Sequence, residues 1–447
     1  MTPHLLESLA LVATSAPAAA FLVVSLTMLL PRQLPERRLL QLTAWTFSLA
    51  LIATLALTFS RLLGLESTPE LNLGPLFALR SYHFEVRFLL DGPALLFLTL
   101  NYALCGLIGA FSARYLHQDP GYRRFYLLLL LFSSGVTTVA AAAGLDLLFA
   151  GWELLGLTSA LLVAFFYRRV SPVANALRVY SVYRITDVGL LVALVALHHS
   201  AGTVEFGDIA RGTTGLGLAA FALVFGAMGK GAVVPFTGWL PRAMEGPTPS
   251  SAIFYGALSV HASPFLLLRV YPILESTPGA LTAVVVLGAI TAVHASMAGR
   301  VQTDIKTSLA YASAAQVALI WIEVGLGWTT LALVHLGGHS VLRTWQLLRA
   351  PSQLHDRHHL SRALGLGLPT PVSRFETHVP LPMRTRLYQW SLERWFLDDL
   401  LDRLAGLLLA PARWLDRIDH TLVDTVEGDM HQEPTTLRVS PDTGTSP

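Results

Sequence analysis

Apolar runs of about 20 residues, the length needed to cross the hydrocarbon core of a bilayer, recur along this 447-residue chain. Eleven can be marked, near residues 9–30, 39–63, 93–113, 124–143, 145–167, 177–197, 215–240, 251–272, 279–298, 306–326 and 328–349. The stretch from 124 to 167 counts as two, because it is too long for one crossing and is punctuated by Gly144 and Asp146. Only 13% of the residues are charged, half the share of about 25% in soluble domains. An all-α polytopic membrane protein of about eleven transmembrane helices is therefore expected. The first run lacks a basic n-region and a cleavage pattern, so it reads as a retained helix and not as a signal peptide. A formal charge of +2 without a basic patch gives nucleic acid nothing to bind. The single cysteine, Cys105, excludes an internal disulfide, a cysteine-ligated iron–sulfur cluster and a zinc finger.

Five regions follow. Residues 1–92 hold two helices and a polar extracytoplasmic stretch from Glu66 to Asp91, in which His83 to Phe88 alternates like a strand of a surface hairpin. Residues 93–350 form the helical core, and 351–386, with Pro369 and Pro371, a polar linker. Within 387–426, Leu397, Leu400, Leu401, Leu404, Leu407 and Leu408 oppose Asp398, Asp399, Asp402 and Arg403. That region reads as an amphipathic helix too short in its charge-free part to span, suited to an interface or a partner. Residues 427–447 read as a disordered tail. Basic residues concentrate after the odd-numbered helices, among them Arg37, Arg38, Arg114, Arg123, Arg124, Arg168, Arg169, Arg242, Arg300 and Lys306. The positive-inside rule then places the N-terminus outside and the C-terminus in the cytoplasm.

Of 31 basic residues only two are lysine, Lys230 within the seventh run and Lys306 at the start of the tenth. An ammonium can lose its proton when buried, whereas a guanidinium effectively cannot. Lys230 lies deep in an apolar run, and Glu153 is flanked by apolar residues for two turns. Intramembrane ionisable residues mark ion or proton pathways and need partners, and Lys230 is the expected partner of Glu153. Asp187 belongs either to this pathway or to a structural ion pair with Arg184 or Arg178. Lys306 is either part of the axis or a cytoplasmic anchor, and Glu323 either functional or interfacial. His335, His339 and Arg343 recur at i, i+4 and i+8 and share one helix face. They suit a relay of titratable imidazoles, or alternatively two histidines bonded to backbone carbonyls. Metal binding is not expected, since no third ligand and no intervening glutamate accompany them. His261 and Tyr255 lie where they would bridge Lys230 to that face. Pro235, five residues past Lys230, should break the seventh helix, as happens where backbone lines a polar cavity.

These residues also carry a resemblance. Gly151-Trp152-Glu153-Leu154-Leu155-Gly156-Leu157 with Tyr167-Arg168-Arg169 resembles the fifth-helix motif of antiporter-like membrane subunits. That family includes the largest proton-pumping subunit of respiratory complex I and the large Mrp antiporter subunit. Gly229-Lys230 and the run from Pro235 to Pro249 resemble its most specific signature. Gln302 to Lys306, Leu309-Ala310-Tyr311, His335 and His339 resemble its later helices, and Arg394 to Asp402 a weaker C-terminal pattern. The resemblance implies that Glu153 and Lys230 are paired channel residues in a proton-conducting core at 93–350, and that Lys306, His335 and His339 continue the proton axis. The chain departs from the family at Tyr183, Thr186, Tyr255 and Arg343, where relatives have Asn, Gly, His and Lys.

The family continues beyond the eleventh helix and this sequence does not, so a truncated inverted-repeat fold is expected. The resemblance is then nearest to the membrane subunit of DAB-type inorganic-carbon accumulation complexes. It implies a non-enzymatic, ion-translocating subunit of the cell inner membrane, embedded in lipid. Its partner would be a large cytoplasmic zinc-dependent protein similar to carbonic anhydrase. The alternatives are a subunit of a redox-linked proton pump or sodium/proton antiporter, and a structural anchor. No cofactor motif is present, so no cofactor is expected.

Overall fold

The computed structural model describes residues 3–29, 34–64, 70–79, 82–209, 215–364 and 379–427. Helices α1 (Pro3–Met28) and α2 (Glu36–Leu62) precede a hairpin of β1 (Glu70–Leu79) and β2 (Tyr82–Leu89). Then come α3 (Gly92–Tyr115), α4 (Tyr122–Ala141), α5 (Leu145–Val163), α6 (Val170–Ala201) and α7 (Gly217–Lys230). They are followed by α8 (Thr248–Arg269), α9 (Ala280–Arg300), α10 (Ile305–Gly325) and α11 (Thr329–Leu364). Two further helices, α12 (Leu381–Leu392) and α13 (Leu397–Glu427), complete the described chain. Nine of the described helices are long and apolar enough to cross a membrane. Each of the eleven expected runs holds a helix, the seventh only the shorter apolar α7. The chain is a multi-pass, all-α membrane protein.

The contacts divide the chain into two units, Met1–Trp395 and Phe396–Pro447. In the first, α4 and α8 are buried almost throughout, whereas most of α1, α2 and α9 faces outward. Leu22, Trp45 and Ile52 are among the large apolar side chains presented there, as suits lipid solvent. Close approach depends on small residues: a Cβ on Gly189 of α6 would lie 2.5 Å from the Ala222 carbonyl of α7. Such contacts let polar side chains of neighbouring helices meet in the interior. Local signals fix the helix ends. Asp91 accepts from Ala94 N at 3.0 Å at the start of α3, and Asp304 from Thr307 N at 2.8 Å at the start of α10. Gly202, with φ of 69°, ends α6.

Three features differ from expectation. The eleventh helix does not stop at 349: α11 runs unbroken to Leu364, so the first part of the expected linker is helical. The helix expected across 387–426 is divided into α12 and α13 at Arg394–Phe396, where φ is positive at three successive residues. In α8, Ser251–Leu258 is a π-helix, with Ser259 N donating to Phe254 O at 2.9 Å. The i→i−5 spacing has no signature in hydrophobic periodicity and recurs at functional sites. Residues 365–378 of the expected linker and 428–447 of the expected tail lie outside the described residues.

The hairpin is antiparallel, as the alternating pattern predicts, from Glu70 opposite Leu89 to Leu79 opposite Tyr82. It is tied to the helix ends by backbone: Ala143 N donates to Arg87 O at 3.0 Å, while Leu145 N and Phe206 N secure the neighbouring loop. Arg87 Nη1 stands 4.0 Å from Glu205 Oε2. Burial pushes the Glu205 carboxyl up from 4.5 to about 7, against the pull of Arg87 and with help from Asp146, Asp208 and Glu85. The folded state then holds this proton more tightly than the unfolded chain. Its contribution to stability is full below pH 4.5 and is lost as pH rises through 7. A thermal unfolding series in detergent should show the wild-type midpoint falling by about 2–4 °C between pH 5 and 7.5 relative to Glu205→Gln. Parallel curves for the two proteins would refute the assignment.

Candidate functional site

Four ionisable side chains from α5, α6 and α7 meet in the bundle. Arg184 Nη1 donates to Glu153 Oε2, and Arg184 Nη2 donates to Asp187 Oδ2 at 2.8 Å. Lys230 Nζ stands 3.8 Å from Asp187 Oδ1. The order Glu153, Arg184, Asp187, Lys230 alternates in sign and is neutral as a set. The first two are partly open and the last two buried: the Glu153 and Arg184 side chains are 26% and 33% exposed, those of Asp187 and Lys230 3% and 0%. A charge buried alone costs several kcal/mol, so each inner group depends on the next one outward.

Lys230 is held chiefly by rings. Its Nζ lies 4.6 Å from the Trp152 ring centroid and 4.3 Å from that of Tyr183, a desolvated cation–π arrangement. Trp152 also donates from Nε1 to Asp187 Oδ1 at 2.6 Å, fixing the carboxylate beside the ammonium. The fit beside residue 156 is tight, since a Cβ on Gly156 would lie 3.0 Å from Nζ and the ammonium would have to shift by a few tenths of an ångström. Helix α7 ends at Lys230 itself, and the chain is irregular from Gly231 to Pro235. The expected break is thus found, beginning ahead of the proline. Trp239, beyond the break, donates to Gly229 O at 2.8 Å and faces both Tyr183 and Tyr255.

From this aromatic wall the polar groups continue into α8 and α11. Tyr255 donates to Ser159 O at 2.8 Å, and the Ser159 and Ser259 hydroxyls are 3.4 Å apart. His261 Nε2 and His339 Nδ1 are 2.9 Å apart. Arg343 Nη2, a donor only, faces His339 Nε2 at 3.4 Å. That arrangement assigns the His339 proton to Nδ1, donated to His261. His335 sits one turn before His339, with Nδ1 2.8 Å from Glu323 Oε1 and Nε2 3.0 Å from Gln316 Oε1. Titratable and polar side chains of α8, α10 and α11 thus meet, with the His335 and His339 rings edge to face at 6.3 Å between centroids.

Glu153 pairs with Arg184 and not directly with Lys230, whose nearest carboxylate is Asp187. The pairing expected from sequence is corrected to a four-group set, because α6 passes between the two and supplies both intervening charges three residues apart. The Arg184-x-x-Asp187 spacing was the available signal. His335 and His339 have side-chain partners and not backbone carbonyls, and Glu323 is one of them. Gln316 had no signal in the sequence, being a neutral residue in an apolar helix. Lys306 is not brought to the histidines. It lines a polar cavity of about 480 Å³ at the opposite end of α10, with Arg242, Glu245, Asp304 and Arg394. No group of metal-binding side chains occurs among the described residues.

A membrane bundle with a charged and imidazole axis through a broken helix defines a class of polytopic membrane subunits. Residues 142–367, half of this chain, match the family described as NADH:quinone oxidoreductase/Mrp antiporter, TM. Residues 76–126 match the N-terminus of NADH-ubiquinone oxidoreductase (complex I) chain 5. The chain belongs to this antiporter-like family. It is 32% identical over 294 residues to NADH-quinone oxidoreductase subunit L of Escherichia coli K12, covering 64% of this chain and 48% of the relative. Identity to NAD(P)H-quinone oxidoreductase chain 5 of Synechocystis is 30% over 286 residues, covering 62% and 42%. The chain thus spans about half the length of these curated relatives. Its fold is similar to that of the Mrp complex from Dietzia (TM-score 0.65, 22% identity, covering 82% of this chain and 40% of that one). It is also similar to an archaeal membrane-bound sulfane sulfur reductase (TM-score 0.66, 17% identity, covering 86% and 76%).

Asp187 serves Trp152, Arg184 and Lys230 at once, whereas Glu153 serves Arg184 from a more open position. Asp187→Ala should therefore destabilise by about 3 kcal/mol and Glu153→Ala by about 1 kcal/mol, measured as thermal midpoints in detergent. The reverse order would contradict this hierarchy.

Proposed function

We propose that the chain is the membrane subunit of an energy-coupled complex and conducts protons along Glu153, Asp187, Lys230, His261, His339 and His335. The observation that carries this reading is the contiguity of the two buried groups, the four-charge set and the histidine contact, through an aromatic and hydroxyl-lined interval. Lysine and histidine can both exchange protons in such a setting. Arg184 and Arg343 hold fixed charge that biases their neighbours. The Lys306 face carries the excess of arginine, so it is the cytoplasmic face of the inner membrane, with the N-terminus outside.

Reconstituted into liposomes with its co-purifying subunits, the wild-type complex should carry proton flux that Lys230→Ala abolishes. Lys230→Arg should lower flux at least tenfold, since it keeps charge but resists deprotonation. Near-normal flux in the arginine variant would make Lys230 a fixed counter-charge.

The finer reading is that the flux drives a cytoplasmic, zinc-dependent, carbonic-anhydrase-like partner in inorganic-carbon accumulation. It is supported by the departures from the wider family at Tyr183, Thr186, Tyr255 and Arg343. Helix α13 adds to it: the stripe Leu400, Leu404, Leu407 and Leu415 has no cover within its own unit. Acidic Asp398, Asp399 and Asp402 on that helix disfavour an anionic lipid surface, so a protein partner is the better cover. Deleting residues 387–426 should release a large zinc-containing protein from the membrane fraction and stop bicarbonate accumulation. Co-purification of quinone-oxidoreductase subunits in its place would favour a redox-linked pump.

A further inference from the structure

His294, on α9, is fully buried and plays no part in the axis described above. Its Nε2 lies 3.0 Å from Thr237 Oγ1, a buried hydroxyl just beyond the irregular stretch that follows Lys230. One turn earlier on the same face, Thr291 Oγ1 accepts from Val234 N at 3.0 Å within that stretch. Helix α9 is thus fastened to the broken part of the seventh helix by a threonine and a histidine. On its other sides the imidazole meets two aromatic rings, Tyr311 of α10 at 6.3 Å and Trp395 at 5.1 Å between centroids.

Trp395 connects this histidine to the polar cavity at the start of α10. Tyr311 lies five positions after Lys306, on the same helix. Arg394, directly before Trp395, lines the polar cavity that Lys306 also lines. Trp395 is held over His294 by an unusual turn: Arg394 and Trp395 have φ of 53° and 58°, in the left-handed region that non-glycine residues avoid. Backbone of this kind persists only where surrounding structure imposes it. A histidine with only a packing role would need neither a hydroxyl partner in the unwound segment nor a ring held over it at this cost.

We infer that His294 is a second proton relay, joining the unwound segment beside Lys230 to the polar cavity at the Lys306 face, with Trp395 as its cover. The inference rests on the proton-conducting reading above and adds a branch to it. The two lysines of the chain become the ends of one short route: Lys306 at the mouth, Tyr311 and His294 below it, then Thr237 and Lys230. No co-reactant is needed. One ring nitrogen accepts a proton as the other releases one, and the Thr237 hydroxyl passes it on by accepting one hydrogen bond and donating the next.

The test uses the complete complex in liposomes loaded with a pH-sensitive dye. His294→Leu should lower proton flux at least tenfold. His294→Gln, which keeps a hydrogen-bonding group for Thr237 and so preserves packing, should be as slow. His294→Gly should regain several-fold flux in tens of millimolar imidazole, and Trp395→Ala added to it should enlarge that response by opening the cover. Wild-type flux in the glutamine variant, or a glycine variant indifferent to imidazole, overturns the inference while leaving the main axis standing. Unchanged flux in Lys230→Ala instead removes the proton-conducting reading itself, so the two failures are distinguishable.

Discussion

Burying an ammonium group with no carboxylate in close contact is the constraint around which this bundle is organised. Lys230 is wholly inaccessible, and its carboxylate stands 3.8 Å away, too far for a strong hydrogen bond. The rings of Trp152 and Tyr183 supply the remaining stabilisation. Their placement goes with close packing at Gly156, the end of α7 at residue 230, and an α6 that brings Tyr183 and Asp187 to one face. Asp187 in turn must be fixed by Trp152 and Arg184, and Arg184 by Glu153. One buried cation thereby dictates side chains on three helices.

Helix α8 and α11 solve a related problem with neutral groups. Imidazoles that bond one another leave fewer unsatisfied polar atoms than isolated ones would, and the low dielectric strengthens each contact. Arg343, one turn past His339, keeps a fixed positive charge near the pair, with its Nη2 3.4 Å from His339 Nε2.

Much of this was legible in sequence. Apolar runs of bilayer length located the nine described helices that are long and apolar enough to cross, because helix and thickness are commensurate, and alternation at His83 to Phe88 located the hairpin. The intramembrane charges were conspicuous because such residues are expensive in lipid. Partner choice was not legible, since it depends on how α6 rotates against α5 and α7, which glycine contacts such as that of Gly189 decide only in three dimensions. Polar neutral residues, Gln316 and Thr237 among them, carry no hydropathy signal that separates a relay neighbour from a helix-packing one. His294 did carry a signal, a lone histidine in an apolar run, but its meaning came from Thr237 and Trp395, distant in sequence. The π-helix and the left-handed turn at Arg394 arise from packing and leave no periodic trace.

Helix α11 is continuous over 36 residues, about 54 Å at 1.5 Å per residue, whereas the hydrocarbon core is only about 30 Å thick. The rod that carries His335, His339 and Arg343 within the bundle therefore extends well beyond it. Pro351, eight residues past Arg343, has no N–H for the carbonyl four residues back, and a proline inside a helix bends it there. The turns that hold His339 2.9 Å from His261 lie before that residue, and the projecting end lies after it. Bending of the far end is thereby separated from the geometry of the histidine contact.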